Sequence, residues 1–342
     1  MRWQFRSGPT YAIHLIDISN LTEEKQEYLL REKRVCNNPL QHCCIGQGRR
    51  LVNQHENVSQ LYIKWSEPLA NLNNLLEYLS EENIPCNIWF VGFSMSGDHA
   101  IAALCELMRD HGYQLDGTKC IPYENKNWDE KDALNCSMST EGMPTAQYYQ
   151  LVNPRHSSCP KVTIAHEGMN TFVENNSFPH YYAQLGGVVV LNHGVHCKKP
   201  GCVTEMLKKL VEKRQVLSMA KQGWHILWRE TEHQHFSTPN GYFKEGESRN
   251  RCCAIANSSN NYLNEEANEF LSNLTLTNNM TIPVIPLAKA SEPLYFMHSY
   301  HDRTKKTFDC THYVYSPWRF EVTWDGMLQA LKSQSKISIN HK

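Results

Sequence analysis

The stretch Ile84–Asp98, IPCNIWFVGFSMSGD, decides the reading of the fold. After Pro85 a short apolar run, Ile88 to Val91, has the length of a buried strand. The glycine-bearing string Gly92-Phe93-Ser94-Met95-Ser96-Gly97 then turns the chain. A helix is predicted from Asp98 to about Arg109, because Ile101, Leu104, Cys105 and Met108 fall on one face. A strand that passes through a small-residue turn into a helix is the building unit of α/β proteins.

Working outward, the same alternation continues. Leu69 to Leu79 (LANLNNLLEYL) has helical apolar spacing, and Gly187 to Leu191 (GVVVL) reads as a compact β-branched strand. Val162–Ala165, Ile226–Trp228 and Leu294–Met297 are further strand candidates. Val203–Ala220 reads as one helix with Gly223 beyond its end, and a last helix covers Arg319–Leu331. Residues 111–160 read as loop, and Ser237–Asn261 as a polar stretch. The fold class is therefore α/β, with a mostly parallel central sheet flanked by helices. Residues 1–58 read as a loop-rich, cysteine-bearing N-terminal extension and residues 59–342 as the main domain.

In parallel sheets chemistry gathers beyond the carboxyl ends of the strands, and four strings lie there. Ser94 sits on a strand-to-helix turn, where backbone N–H groups and the helix N-terminus favour a negative oxygen. Gly92 and Gly97 are read as supplying backbone freedom, and Ser96 as the helix cap. Asn192 follows GVVVL directly, in Asn192-His193-Gly194-Val195-His196, and could aim a side-chain N–H at a reacting carbonyl oxygen. Arg229, Thr231, His235 and Phe236 follow the strand ending at Trp228 and are candidates to shape a substrate pocket; the plain alternative pairs Arg229 with Glu230 on a solvated loop. Asp309 and His312, three residues apart in DCTH, make an orienting carboxylate and a general base, placed on a turn or first helical turn.

In this order the four strings resemble the PC-esterase branch of the SGNH (GDSL-like) hydrolases, the branch of the trichome-birefringence-like polysaccharide O-acetyltransferases and their algal relatives. The resemblance rests on Gly92-Phe93-Ser94, on Asn192, Gly194 and His196, on Arg229, Thr231, His235, Phe236, Gly246 and Cys252, and on Asp309-Cys310-Thr311-His312-Tyr313. It implies a three-layer SGNH-type domain, Ser94 as nucleophile, His312 as base and Asp309 as its orienter. Asn192 and the Ser94 N–H would hold the oxyanion, with Gly168 a further candidate, and Gly194, His196, Arg229 and His235 would line the substrate. It implies an acyl donor and a glycan or polysaccharide acceptor, or water, and no cofactor. Two departures stand out: Phe93 replaces the family's Asp before the serine, and Ser96, Gly97 and Asp98 stand where transferase members carry an Arg.

Composition bounds the partners. Thirty-four Lys and Arg against 35 Asp and Glu give a net charge of -1, which builds no basic field for nucleic acid. No stretch of 18 apolar residues occurs, so no membrane anchor is visible. The 13 cysteines and seven sequons, starting at Asn20, Asn57, Asn135, Asn175, Asn257, Asn273 and Asn279, point to an oxidising lumen, Golgi or secreted. Met1–Asn20 nevertheless has no clear signal-peptide core. Three rival readings compete. Gly92-Phe93-Ser94-Met95-Ser96 nearly forms the α/β-hydrolase elbow. His193, His196, Cys197 and Cys202 could hold zinc. The chain could also be an inactive SGNH-like glycan-binding module.

Overall fold

Strand β3 (Asn87–Val91) carries Ile88, Trp89, Phe90 and Val91, all buried. A strand apolar on both faces can be satisfied only in the middle of a covered sheet, and that is where it lies. The computed structural model describes residues 13–17, 61–65, 69–121, 146–174, 186–197, 199–212, 215–246, 251–255, 262–278, 280–302, 307–313 and 317–339. The chain divides into two units. The sheet unit comprises residues 70–231, 262–285 and 324–342; the ribbon unit comprises residues 1–69, 232–261 and 286–323.

In the sheet unit β3 is flanked on one side by β6 (Lys161–Glu167) and on the other by β7 (Gly187–Leu191), both parallel to it. β8 (Trp224–Arg229) and the short β9 (Val284–Ile285) continue the parallel run beyond β7. β5 (Ala146–Val152) and β4 (Gln114–Ile121) add an antiparallel edge beyond β6, which completes seven strands in the order β4-β5-β6-β3-β7-β8-β9. The chain builds one side of the sheet after β3 and the other side after β6, so the strand order switches at β3. That is where an open α/β sheet leaves a crevice.

Helix α1 (Leu72–Glu81) buries Leu72, Leu75, Leu76 and Leu79, and Asn71 closes its start with a reciprocal capping box to Asn74. α2 (Ser94–Asp110) follows β3 directly. α3 (Met169–Glu174), α4 (Cys202–Glu212), α5 (Gln215–Lys221) and α6 (Tyr262–Asn278) are the further helices wholly within this unit among the described residues. Alternation along β3 aims Trp89 at Phe172 and Trp224, and Phe90 at Trp324. The Trp324 indole N–H donates to the Glu106 carboxylate at 2.7 Å, so this buried polar pair is satisfied.

In the ribbon unit β1 (Ile13–Asp17) pairs antiparallel with β2 (Leu61–Trp65), and β10 (His298–Asp302) with β11 (Thr307–Tyr313). The short helix α7 (Ala288–Ser291) and a 3₁₀ turn at Tyr295–Met297 precede β10. Phe236, Cys252, Phe308 and Cys310 form a small buried cluster closed by the Cys252–Cys310 disulfide. Helix α8 (Pro317–Ile339) has residues in both units.

Several expectations change. Residues 111–160 are not all loop: the edge strand β4 and its neighbour β5 lie there, and their mixed polar and apolar sequences, QLDGTKCI and AQYYQLV, give no apolar run to read. Val203–Ala220 is described as two helices, α4 and α5, rather than as one. Leu294–Met297 is not a strand; the strand starts at His298. α6 was not anticipated at all. The expected boundary at residue 58 and every sequon except Asn273 lie outside the described residues.

Among the described residues three disulfides, Cys86–Cys159, Cys197–Cys202 and Cys252–Cys310, fit an oxidising, secreted or lumenal compartment. Among the described residues no helix is long and apolar enough to cross a membrane.

Candidate functional site

The turn after β3 is built by close contact. A side chain at Gly92 would strike the Ser96 hydroxyl and come within 2.6 Å of the Asn192 carbonyl. At Gly97 an added Cβ would press on the His166 ring at 3.3 Å. Neither glycine needs left-handed backbone, so the reason for glycine here is approach, not torsion. α2 begins at Ser94 itself, four residues earlier than predicted, with Phe93 at the cap position and no side-chain cap bond. Ser96 is therefore no cap. Its N–H already bonds the Phe93 carbonyl at 2.8 Å, and its side chain is enclosed.

A helix's first N–H groups point out of its N-terminus, where they favour negative charge. Here they belong to Ser94 and Met95, with Ser94 half-buried. His166, at the end of β6, is the residue sequence reasoning missed. Its ring packs against Gly97, beside the Gly92 and Phe93 backbone, which favours the charged ring less than burial opposes it. Burial pulls its pKa down to about 4, so it is neutral. A histidine inside the strand pattern KVTIAHE gives no periodic signal that would separate it from a core position.

The string after β7 is a clamp. Asn192 Nδ2 donates to the Arg229 carbonyl at 2.9 Å and to Thr231 Oγ1 at 3.0 Å, which uses both of its amide hydrogens. As an oxyanion donor it would have to release one. Gly194 fits because any side chain there would overlap Thr231. Asn264 completes the clamp, accepting from the Thr231 N–H at 2.7 Å and donating to its carbonyl at 2.9 Å. Arg229, expected to touch substrate or to pair with Glu230 in solvent, is instead fully buried and reaches Ser96 Oγ at 3.3 Å, joining the end of β8 to the first turn of α2. Phe93 does not pack beneath the turn; it is half-buried and stacks on His196 (centroids 4.1 Å apart) and His193 (5.3 Å). His196 is exposed. Gly168 serves α3, its carbonyl accepting from Phe172.

His193, Cys197 and Cys202 bring their ligand atoms within 4.8 Å of one another. The two sulfurs are joined to each other, which removes the thiolates a zinc site needs.

Asp309 and His312 lie in the ribbon unit, on β11 rather than on a turn or helix. In a regular strand residues three apart face opposite ways. Here His298 pairs with Tyr313 while its neighbour Ser299 pairs with Asp309, so Cys310, Thr311 and His312 bulge out of register. The bulge swings His312 Nδ1 to 2.8 Å from Asp309 Oδ2. Asp309 Oδ1 accepts the N–H groups of Thr311 and His312, each at 3.2 Å, which locks the carboxylate. The two side chains keep 16% and 17% of their surface, Asp309 and His312 respectively. With Nδ1 holding the proton toward the carboxylate, the lone pair of a neutral His312 is at Nε2.

His235, also expected at the substrate, is fully buried beneath this bulge. Its main chain is bracketed by Cys310 and Cys253, and its ring bonds His298 and the Glu292 carbonyl. Gly246 is exposed with φ +86°, a backbone shape that favours glycine. Tyr313 donates to the His233 carbonyl, and Arg319 stacks on its ring at 4.5 Å while pairing with the buried Glu232 at 2.7 Å.

The candidates thus fall into two groups. Ser94, Asn192, Gly194, His196 and Arg229 belong to the sheet unit, and His235, Asp309 and His312 to the ribbon unit. Comparison with protein-family models, curated proteins and solved structures finds no match to this chain.

Proposed function

We propose that the chain is a serine-dependent acyl-transfer enzyme, acting on O-acyl esters of glycans in the Golgi lumen or outside the cell. The observation that carries the reading is the Asp309–His312 pair. A carboxylate fixed by two main-chain N–H groups, bonded to Nδ1 of a partly exposed imidazole, is the arrangement a general base requires. The second support is Ser94, half-buried at the N-terminus of a helix on the central strand. The resemblance of the four sequence blocks to PC-esterases supports acetyl as the acyl group and a sugar hydroxyl, or water, as acceptor.

In this mechanism His312 Nε2 takes the Ser94 proton as Oγ attacks the ester carbonyl. The tetrahedral oxyanion is stabilised by the N–H groups of Ser94 and Met95 and by the helix N-terminus. Collapse expels the alcohol, which receives the proton from His312, and leaves acyl-Ser94. A glycan hydroxyl or water, deprotonated by the same imidazole, then attacks the acyl carbonyl, and the Ser94 Oγ–carbonyl bond breaks as Oγ takes the proton back from His312. Asn192, Gly194, Arg229 and Thr231 hold the turns rather than touch the acyl group. His196 and Phe93 offer a stacking face for a sugar ring. The reading requires Ser94 and His312 to act on the same ester.

The test is labelling by a fluorophosphonate probe together with hydrolysis of an aryl acetate. Wild type should label on Ser94. Ser94→Ala and His312→Ala should each lose at least about 10³-fold in kcat. Hydrolysis that survives either change overturns the assignment, and a wild type that neither labels nor hydrolyses would favour the non-catalytic glycan-binding module.

A further inference from the structure

Beneath the bulge that carries His312 runs a buried chain of three short contacts. His235 Nε2 lies 2.8 Å from the Glu292 carbonyl oxygen, His235 Nδ1 lies 2.8 Å from His298 Nε2, and His298 Nδ1 lies 2.8 Å from the His312 carbonyl oxygen. Both rings are fully buried. The last contact grips the main chain of the proposed base itself.

The proton count is unusual. A carbonyl oxygen only accepts, so each outer contact needs an N–H on the imidazole. Two neutral rings bring two protons in all. If both go to the carbonyls, two bare lone pairs face each other at 2.8 Å in the middle. If one goes to the middle, a carbonyl is left unbonded. Tyr313 offers no clean relief, since its single hydroxyl proton is directed to the His233 carbonyl and its oxygen is 3.3 Å from His235 Nδ1. Three contacts need three protons, one more than two neutral rings carry, so only an imidazole–imidazolium pair completes the chain.

We infer that His298, keyed by His235, is a positioning residue for His312, and that the pair takes up one shared proton whose arrival completes the three-contact chain. The catalytic part of this inference rests on the acyl-transfer reading; the proton count does not.

The groups that face the pair within the ribbon unit pull both ways. Asp309 favours a positive His298, while Arg319 and His312 oppose it; His233 opposes charge on His235. Glu232 sits against Tyr313 and Arg319. Burial is the largest effect and opposes charge on either ring. A shared proton answers burial as a lone imidazolium cannot, since all its N–H groups are bonded and charge-assisted bonds are roughly twice as strong as neutral ones. The two rings therefore titrate as a unit, with a macroscopic pKa that belongs to the pair.

Two variants separate the parts. In His298→Asn the amide can still donate to the His312 carbonyl but has no second ring nitrogen, whereas His298→Ala loses both bonds. For the full-length protein the prediction is that His298→Ala lowers kcat by about 10²-fold with KM little changed. His298→Asn restores most of that loss and removes the pair's inflection from the pH profile. ¹⁵N spectra of the imidazoles should show Nδ1 of His235 and Nε2 of His298 taking up one proton together. That step should come at higher pH than the titration of the ring remaining in His298→Asn or His235→Gln. Independent titration of the two rings, at the same pH as in those variants, overturns the shared proton. Equal kcat in His298→Asn and His298→Ala overturns positioning through the carbonyl. If Ser94→Ala leaves hydrolysis intact while the rings still titrate as one, the acyl-transfer reading has failed and the proton pair stands.

Discussion

Replacing Glu167 by Gln should stabilise the protein, and by more as the solution becomes more alkaline. Glu167 ends β6, the residue is 3% exposed, and its buried Oε2 has no hydrogen-bond partner among the described residues. Burial alone lifts its pKa from 4.5 to about 8. The folded chain therefore keeps this proton up to about pH 8, while the unfolded chain releases it above 4.5. Between those values the native state binds more protons than the unfolded state, so this group's contribution to stability falls as pH rises. The slope is about 1.4 kcal/mol per pH unit, which accumulates to about 3 kcal/mol at pH 7 and levels off near 5 kcal/mol above pH 8. Gln has nearly the same shape and no ionisable proton. The assay is urea unfolding of both proteins at about one-unit steps from pH 5 to 9, read as the difference in unfolding free energy. The difference is the useful quantity, because His166 and His193 are each held at about 4 by burial and give the opposite slope. Those rings bind fewer protons folded than unfolded between about 4 and 6.5, so their contribution grows with pH across that window, equally in both proteins. A stability difference that does not change with pH would refute the argument and would mean that the carboxylate is solvated or paired.

Three further outcomes follow from the geometry. Asp309→Asn should retain the fold by circular dichroism but lose between about 10² and 10⁴-fold in kcat, because the amide no longer orients the imidazole with its lone pair at Nε2; unchanged hydrolysis by the purified variant would remove Asp309 from the mechanism. Gly194→Ala should cost about 1–3 kcal/mol in chemical unfolding through its overlap with Thr231, and pairing it with Thr231→Ala should recover part of that loss in a double-mutant cycle. Replacing Cys252 and Cys310 by Ser opens a loop with a sequence separation of 58, against 5 for Cys197–Cys202, so chain entropy predicts losses of about 4 and about 2 kcal/mol respectively, ranked by thermal unfolding.

The central strands were legible because their physics is local. IWFV and GVVVL are continuous apolar runs, and a run buried on both faces can sit only inside the sheet. The antiparallel strands β4 and β5 were not legible, because their place is selected by pairing partners rather than by an apolar pattern of their own. The Asp309–His312 contact was legible as a pair but not as a strand. Spacing of three suggests a helical turn, and only the partner strand's register, pairing Ser299 with Asp309 beside His298 with Tyr313, shows the bulge that makes the contact. His166 and Glu167 were invisible as functional or strained positions, since a strand end looks the same in sequence whether its side chains are satisfied or not.

Burial sorts the residues that sequence blocks bring together. Acyl transfer needs groups that a substrate can touch, and a fully enclosed polar side chain cannot serve one without first breaking bonds that cost about 1–3 kcal/mol each to leave unmade. Arg229 and His235 have no exposed surface, and Asn192 has 3% with its amide hydrogens committed. Ser94, His196, Asp309 and His312 retain accessible surface. The first set thus sets the shape of the loops, and only the second leaves surface that the proposed chemistry could use. The same division explains why substitution in the two sets should differ in kind. Loss of Arg229 or Asn192 should register in unfolding measurements before it registers in kcat, because the turn must loosen before Ser94 moves. Loss of Asp309 or His312, whose side chains lie on an externally bulged strand and reach each other across it, should register in kcat with the fold intact.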